Sequence, residues 1–423
     1  MLLMAAMQVN CFQYPPTNLQ MLGRWCCLNM AEYLKCNDWR TAVNLTATTN
    51  VLLECVLATD KFDCFKKIFE DKADLMSGDA GDVYIAGKYY NLLPISTEMY
   101  HGGADQPVYS EHYAVAVVKR GSGMTINNLR GANSCHGGVG TSAGWNVPIS
   151  TLIEKQLLEV VDCNNHVKAA AKFFNKMCAP DALNVQFNPT GDNPTSACDL
   201  CKGKIGQNFC TNQDPYAGNI GAMYCLIDGG GDVAFVRHTT LSELVALNRS
   251  VNINDFELLC PNVYGSPFNT YYGNNTVYPY PTAPITDFLS CNWGIVPSRA
   301  ILTSSRKAII QRRAYRQFLS LSSQLFAGQS PSAHQQATPP PVFNSPNNNT
   351  YAAIIAQRNH TLFGNNQGIN YSPYAPSRFY LFDSAFYGGR DLIFFDQTVA
   401  FKDLEDKVTY LSFLRKLSAS FFL

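Results

Sequence analysis

Two stretches of this chain carry residues whose types and spacing could do chemistry. The first is Ser134 to Trp145, SCHGGVGTSAGW, a glycine-rich turn that runs into NVPISTLIEKQLLEVV, where apolar residues recur at helical spacing. A turn leading into a helix start offers backbone N–H groups to an anion. Yet the turn has no Arg or Lys, and the helix has none before Lys155, so the cradle lacks a cation of its own. The second is CDLCKGKIGQNFC, Cys198 to Cys210. Its Cys-X-X-Cys has no second Cys/His pair at zinc-ligand spacing, and it lacks the strand-to-helix setting of a redox motif. Structural disulfides are the plainer reading.

Other catalytic signatures are missing. GGVG is followed by no acidic residue at the distance a dinucleotide fingerprint needs. There is no G-x-S-x-G elbow and no His-Glu-x-x-His. The seven histidines are scattered singly. The residues make no positive case for an enzyme.

Composition narrows the class. The 423 residues allow two or three domains or one large α/β unit. Thirty-two basic residues balance thirty-two acidic ones, which argues against a nucleic-acid or polybasic membrane binder and equally against an acidic mineral-binding tail. No run of about 18 apolar residues exists to span a membrane. The start, MLLMAAMQVNC, is a short apolar run without a basic flank, either a poor signal peptide or an ordinary N-terminal segment. Fifteen cysteines recur from Cys11 to Cys291, with none after. Six Asn-X-Ser/Thr sequons, at Asn44, Asn248, Asn274, Asn348, Asn359 and Asn370, stand beside them. Together they point to a secreted, glycosylated, disulfide-bonded protein.

The elements that must position these residues read as follows. Residues 24–77 read as helices with cysteine staples. DVYIAGKYY reads as a strand, and HYAVAVVKR as a strand buried on both faces of a parallel sheet. HVKAAAKFFNKMC is a helix, and MYCLIDGGGDVAFVRHTTLSELVAL is strand, turn, strand, helix. Alternating strands and helices predict mainly parallel sheets. A helix over 299–316 carries Arg299, Arg306, Lys307, Arg312, Arg313 and Arg316, either a binding face for an acidic partner or a solvated face paired locally with acids. Residues 328–349, rich in Pro, Gln, Ser and Asn, are a low-complexity loop or linker. DLIFFDQTVAF is strand-like, and YLSFLRKLSASFFL a terminal helix.

Several blocks, in order, resemble one lobe of the transferrin family, with melanotransferrin-like loop spacing. They are RWCCLNMAEYLKC, GDVYIAGKYYNLLPISTEMY, HYAVAVVKRGSG, LRGANSCHGGVGTSAGWNVPI, GAMYCLIDGGGDVAFVRHTTL, FELLCPN, CNWGIVPSRAILT and DLIFFDQTVAF. The resemblance implies a disulfide-stapled α/β lobe, akin to periplasmic binding proteins, with mixed sheets in two subdomains around a hinged cleft. One subdomain would be 1–98 plus 297–423, the other 99–296. It implies the disulfides Cys26–Cys64, Cys36–Cys55, Cys135–Cys225, Cys178–Cys201, Cys198–Cys210 and Cys260–Cys291. Cys11, Cys27 and Cys163 are left over.

The family binds Fe³⁺ through one Asp, two Tyr and one His, with carbonate held by an Arg, a Thr and a helix start. The matching positions here are Asp79 and Tyr100, both retained, then Asn219 for the second tyrosine and Arg299 for the histidine. The anion positions are Gly137 for the threonine and Thr141 for the arginine. A guanidinium stays protonated and cannot ligate a metal, so the resemblance implies a degenerate iron site and no cofactor. With the cleft geometry kept, Arg299 would either pair with Asp79 and hold the subdomains together without metal or point to solvent in an open cleft.

The resemblance therefore implies a secreted, non-enzymatic structural glycoprotein of the extracellular matrix. Single-lobe relatives with an eroded site serve in otolith growth and biomineralisation, which would make a collagen-like otolith protein, other matrix proteins and calcium carbonate mineral its partners. Two alternatives stand beside it, a metal or anion transport protein and a secreted inhibitor of carbonic anhydrase.

Overall fold

Hydrophobic runs that cannot alternate with water must pack on both faces, and among the described residues they build three sheets wrapped by helices. A computed structural model describes residues 20–46, 49–100, 108–160, 165–247, 250–262, 279–327 and 379–414. The low-complexity stretch 328–349, the leader-like start, Cys11, Cys163 and all sequons but Asn44 lie outside the described residues.

The first half of the fold uses both ends of the chain. Strands β1 (Met21–Cys27) and β2 (Val51–Leu57) pair in parallel, with helix α1 (Met30–Thr46) between them in sequence. Helix α2 (Lys61–Phe69) leads to β3 (Met76–Gly78), helix α3 (Ala80–Tyr90) and β4 (Leu92–Tyr100). The second half contains β5 (Glu111–Lys119), β6 (Ser134–His136), β7 (Met177–Cys178), β8 (Val233–Arg237), β9 (Phe256–Leu259), β10 (Thr282–Ala283) and β11 (Gly294–Pro297). Its helices are α4 (Val147–Glu154), α5 (His166–Phe173), α6 (Gly218–Ile227) and α7 (Thr240–Leu247). The chain then returns as β12 (Ala300–Ser304), helix α8 (Ile309–Phe326) and β13 (Thr398–Asp403).

The strand orders are β13-β4-β12-β3 in the first half and β10-β9-β5-β8-β6-β7 in the second, with β11 also on β5. The two halves are joined where the chain leaves β4 and where it passes from β11 to β12. These crossings pair with each other, Glu98 N–H donating to Arg299 O at 2.9 Å and Ser298 N–H to Ser110 O at 3.0 Å, while Tyr100 and Tyr109 exchange backbone bonds of 2.8 and 3.0 Å within the first crossing. In the first half, Trp25, Trp39 and Phe394 meet edge to face at 5.1–5.8 Å over the β1–β2 pair.

Six disulfides form: Cys26–Cys64, Cys36–Cys55, Cys135–Cys225, Cys178–Cys201, Cys198–Cys210 and Cys260–Cys291. They are the set that the resemblance implies, and Cys27 is left as a buried free thiol.

Several local expectations are corrected. The stretch 24–77 contains three strands besides its helices. DVYIAGKYY is helical, because Asp79 and Asp82 cap its start reciprocally and override its β-prone aromatics. MYCLI is the end of α6 rather than a strand, held by Cys225 to β6. Strand β5 is buried on both faces as expected, but β8, β9 and β11 all run antiparallel to it; among the described residues the parallel ladders are β1–β2 and β6 with β7 and β8, beside an isolated parallel bridge between Trp25 and Leu75. The basic helix begins at Ile309, and Ala300–Ser304 before it is a strand. Arg313 and Arg316 of the helix pair with Asp406, and Lys307 just before it pairs with Asp71 and Asp74. Of DLIFFDQTVAF only the end from Thr398 is strand, and of the terminal helix Tyr410–Phe413 is described.

Candidate functional site

The glycine-rich turn leads, as its sequence promised, into a helix start. After β6 the turn ends at Thr141, and Ser142–Asn146 forms a wide π-type turn that leads into α4. Facing it is the start of α3. Asp79 caps that helix, its Oδ1 accepting from Asp82 N–H at 2.9 Å. Its other oxygen, Oδ2, accepts from Ser142 N–H at 2.9 Å, and Gly81 N–H donates to Ser142 Oγ at 2.9 Å. So two helix starts, one from each half, share one carboxylate. The approach is so close that a Cβ on Gly81 would lie 2.1 Å from Gly140 O.

The cation that balances Asp79 is Lys61, at the start of α2. Its ammonium lies 2.9 Å from Asp82 Oδ1 and over the rings of Phe62 and Phe187. Burial pulls the Lys61 pKa down, but Asp82, Asp79 and Asp181 together outweigh it and leave it above its ordinary value. Burial, with Asp82 alongside, raises the Asp79 carboxyl, and Lys61 and the two N–H donors oppose that rise. Sequence reasoning passed over Lys61; Asp60 just before it, a helix cap, was the only local signal.

Arg299 does not pair with Asp79, which corrects the expectation. It sits in the crossing between β11 and β12, where its Nε lies 3.8 Å from the fully buried Glu98 and its NH2 donates to Ser77 O at 3.2 Å. Glu98 also accepts from Ser77 Oγ, Thr398 Oγ1 and Phe395 N–H. That carboxylate is nearer to hand than Asp79, and its other partners fix it where Arg299 can reach.

The remaining positions are also spent on the protein's own groups. Tyr100, at the end of β4, is buried against Tyr109 and Phe395 and accepts from Arg299 N–H at 3.0 Å. Burial and then Glu98 push its phenol well above its usual range. Asn219, in the first turn of α6, accepts from Arg237 N–H at 3.1 Å. The Thr141 hydroxyl donates back to Gly138 O at 2.7 Å. Gly137 lies against the start of α6, with its carbonyl accepting from Gly218 N–H. Asp79 and the Gly137–Thr141 turn are therefore brought together, while Tyr100 and Arg299 form a separate group in the crossing.

Arg237, at the end of β8, links that group to the second half. Its guanidinium lies 3.7 Å from the Phe395 ring centre, and Arg299 lies 4.8 Å from the same centre. Arg237 also bonds Glu243 at 3.3 Å and Asp391 at 3.4 Å, and Gln397 reaches across to Glu243 at 2.7 Å. On the same face of the sheet lies His112, two residues along β5 from Ala114, the register partner of Arg237. Its Nδ1 finds no partner among the described residues, and burial, with Arg237 and His238 nearby, holds its pKa well below the ordinary value. His112 was also passed over, because a histidine entering a buried strand reads as packing.

Behind Phe395 the acids continue. Lys35 donates to Ser384 Oγ and Leu392 O, and Ser384 donates to Asp396. Burial and the neighbouring Asp391 raise Asp396 to about 7, and burial lowers Lys35 to about 8. The one cluster of three metal-type side chains among the described residues, Cys178, Cys201 and Asp214, is closed by the Cys178–Cys201 disulfide.

Comparison with known proteins agrees with this architecture. The family signature described as Transferrin matches residues 23–343. Transferrin 2 of Drosophila melanogaster is 39% identical over 312 residues, 72% of this chain and 35% of its own length. Ovotransferrin of Gallus gallus is 36% identical over 69% of this chain and 36% of its own. Human melanotransferrin is 30% identical over 411 residues, 94% of this chain and 45% of its own. The chain thus spans between a third and half of the length of these relatives. On the match across most of its length, the chain belongs to the transferrin family.

Proposed function

We propose that this protein is a secreted, non-enzymatic transferrin-family glycoprotein that no longer holds Fe³⁺ and carbonate as its family does, and that it acts as a structural component of an extracellular matrix. The observation that carries the reading is the buried Arg299–Glu98 contact at the position matched to the histidine ligand. A guanidinium there donates hydrogen bonds, repels a cation and offers no lone pair. The donors around it support the same reading: the Asn219 oxygen is taken by a backbone N–H, the Thr141 hydroxyl turns inward, and the helix start that could hold carbonate holds Asp79 instead. The residues do not fit the ferric–carbonate pair.

Titration with Fe³⁺ and bicarbonate tests this. The expected result is no tyrosinate-to-iron absorption band; a strong band at one equivalent of iron would overturn it. We keep 1–98 plus 297–423 and 99–296 as the proposed subdomains. Six sequons and the disulfides support an extracellular site of action, and no helix of the described residues is long and apolar enough to cross a membrane. The matrix we infer is that of the growing otolith, with a collagen-like partner and carbonate mineral. Transcript in the inner ear, against liver or plasma, is the observation that decides it.

A further inference from the structure

The outer edge of the first half is a strand with little to protect it. Strand β2, VLLECVL, has β1 as its sole ladder partner among the described residues, so its other edge has no strand beside it there. It contains one charge, Glu54, and no proline. Leu52 is 38% exposed and lies in register beside Leu22, itself 41% exposed. A short, mainly apolar edge with one charge is a template for pairing with another chain, and proteins blunt such edges with charges, bulges or a cover.

A groove of about 420 Å³ runs beside this strand, lined by Arg40, Thr41 and Asn44 of α1 and by Leu52, Leu53 and Glu54 of β2. Asn44 is exposed in the last turn of α1, and it begins the sequon Asn44-Leu45-Thr46. The groove is mixed in character. Arg40, Thr41 and Glu54 offer donors and acceptors for sugar hydroxyls, and Leu52 offers an apolar face to the C–H side of a pyranose ring.

We propose that the first N-acetylglucosamine residues of a glycan on Asn44 lie in this groove and cover Leu52 and the free edge of β2, so that the glycan takes the place of a gatekeeper side chain. The occupant is covalently fixed at the groove's own wall, which is why its local concentration there is high whatever its intrinsic affinity. The inference rests on export through a glycosylating compartment and not on the state of the iron site. A failed iron titration and a failed glycan experiment are therefore separate outcomes.

The full chain, secreted from a eukaryotic host, is compared with its Asn44→Gln and Thr46→Ala variants. Peptide mass spectrometry reads occupancy at Asn44, and amide hydrogen exchange reads protection of residues 51–57. Sedimentation velocity reads self-association. The expected result is an occupied Asn44, several-fold faster exchange across 51–57 in both variants, and concentration-dependent association that Leu52→Lys in the Asn44→Gln background reverses. If the variants are not secreted, enzymatic removal of the glycan from the folded wild type gives the same readings. An unmodified Asn44 in the secreted protein would overturn the proposal. So would exchange across 51–57 unchanged by loss of the sugar.

Discussion

The Asp79 carboxylate bonds the backbone N–H of Ser142 at 2.9 Å, so the helix start that could cradle an anion is occupied by an acid from the opposite half of the molecule. Asp79 is at once the cap of its own helix and the ligand of another, with Lys61 balancing its charge through Asp82.

Asp79→Ala removes both roles. Loss of a helix cap costs about 1 kcal/mol, and loss of a charge-assisted bond between the halves adds about 1–2 kcal/mol. Urea denaturation should show a total of roughly 2–3 kcal/mol. Faster amide exchange at Ser142–Val147 should accompany it, since the bond at that helix start is lost. A substitution that left both readings unchanged would contradict the shared-carboxylate geometry.

Arg299→His, the change that restores the matched family residue, should not restore iron binding and should weaken the fold. It leaves Glu98, fully buried, without its guanidinium and removes one of the two cations over Phe395. Breaking a buried pair from one side costs about 3–5 kcal/mol, and the 3.8 Å separation places this one at or below the low end of that range. The same variant with Glu98→Gln should recover part of the loss, which thermal unfolding of the double mutant measures.

Asp396 gives the first half a pH dependence of defined sign. Its carboxyl titrates at about 7 in the fold, against about 4 in an unfolded chain. The folded state therefore holds the proton more tightly. The stability this group contributes is complete below about pH 4 and is lost as the pH rises through about 7. Asp396→Asn should remove that loss. The stability difference between variant and wild type, read by urea denaturation, should shift in the variant's favour between pH 5 and pH 8, by on the order of 2 kcal/mol. A difference that stays flat over that interval would refute the assignment.

Cys27 should be silent in the native state. Burial, then the nearby Glu32, holds its thiol well above the ordinary range, and the residue is fully enclosed. Alkylation at pH 8 followed by peptide mapping should leave Cys27 unlabelled until denaturant is added.

Legibility from the sequence differed by the kind of feature. The disulfide set was readable because the blocks that carry it are long and ordered. The glycine turn was readable because its residues leave few conformations open. Helix α3 was misread because its capping pair, Asp79 and Asp82, outweighs the β preference of Val83, Tyr84 and Ile85. Pairing direction in the second half was misread because alternation of strands and helices does not determine it when β5 is buried on both faces. Partner choice was hardest. Arg299 could be placed near the cleft from its motif, but the preference for Glu98 over Asp79, and the part played by Lys61, depend on which side chains meet where two distant segments cross.

The six disulfides among the described residues lie between Cys26 and Cys291, while residues 379–414 join the first half only by non-covalent contacts, among them β13, the Lys35–Ser384 bond, the packing of Phe394 on Trp25 and Trp39, and the Asp406 ion pairs. A single proteolytic nick between 327 and 379 would therefore turn one chain into two pieces with no covalent tie. They would migrate together under native conditions and part in detergent even without reductant, the C-terminal piece carrying away Phe395, Asp391 and Gln397 and with them the contacts to Arg237 and Glu243 of the second half.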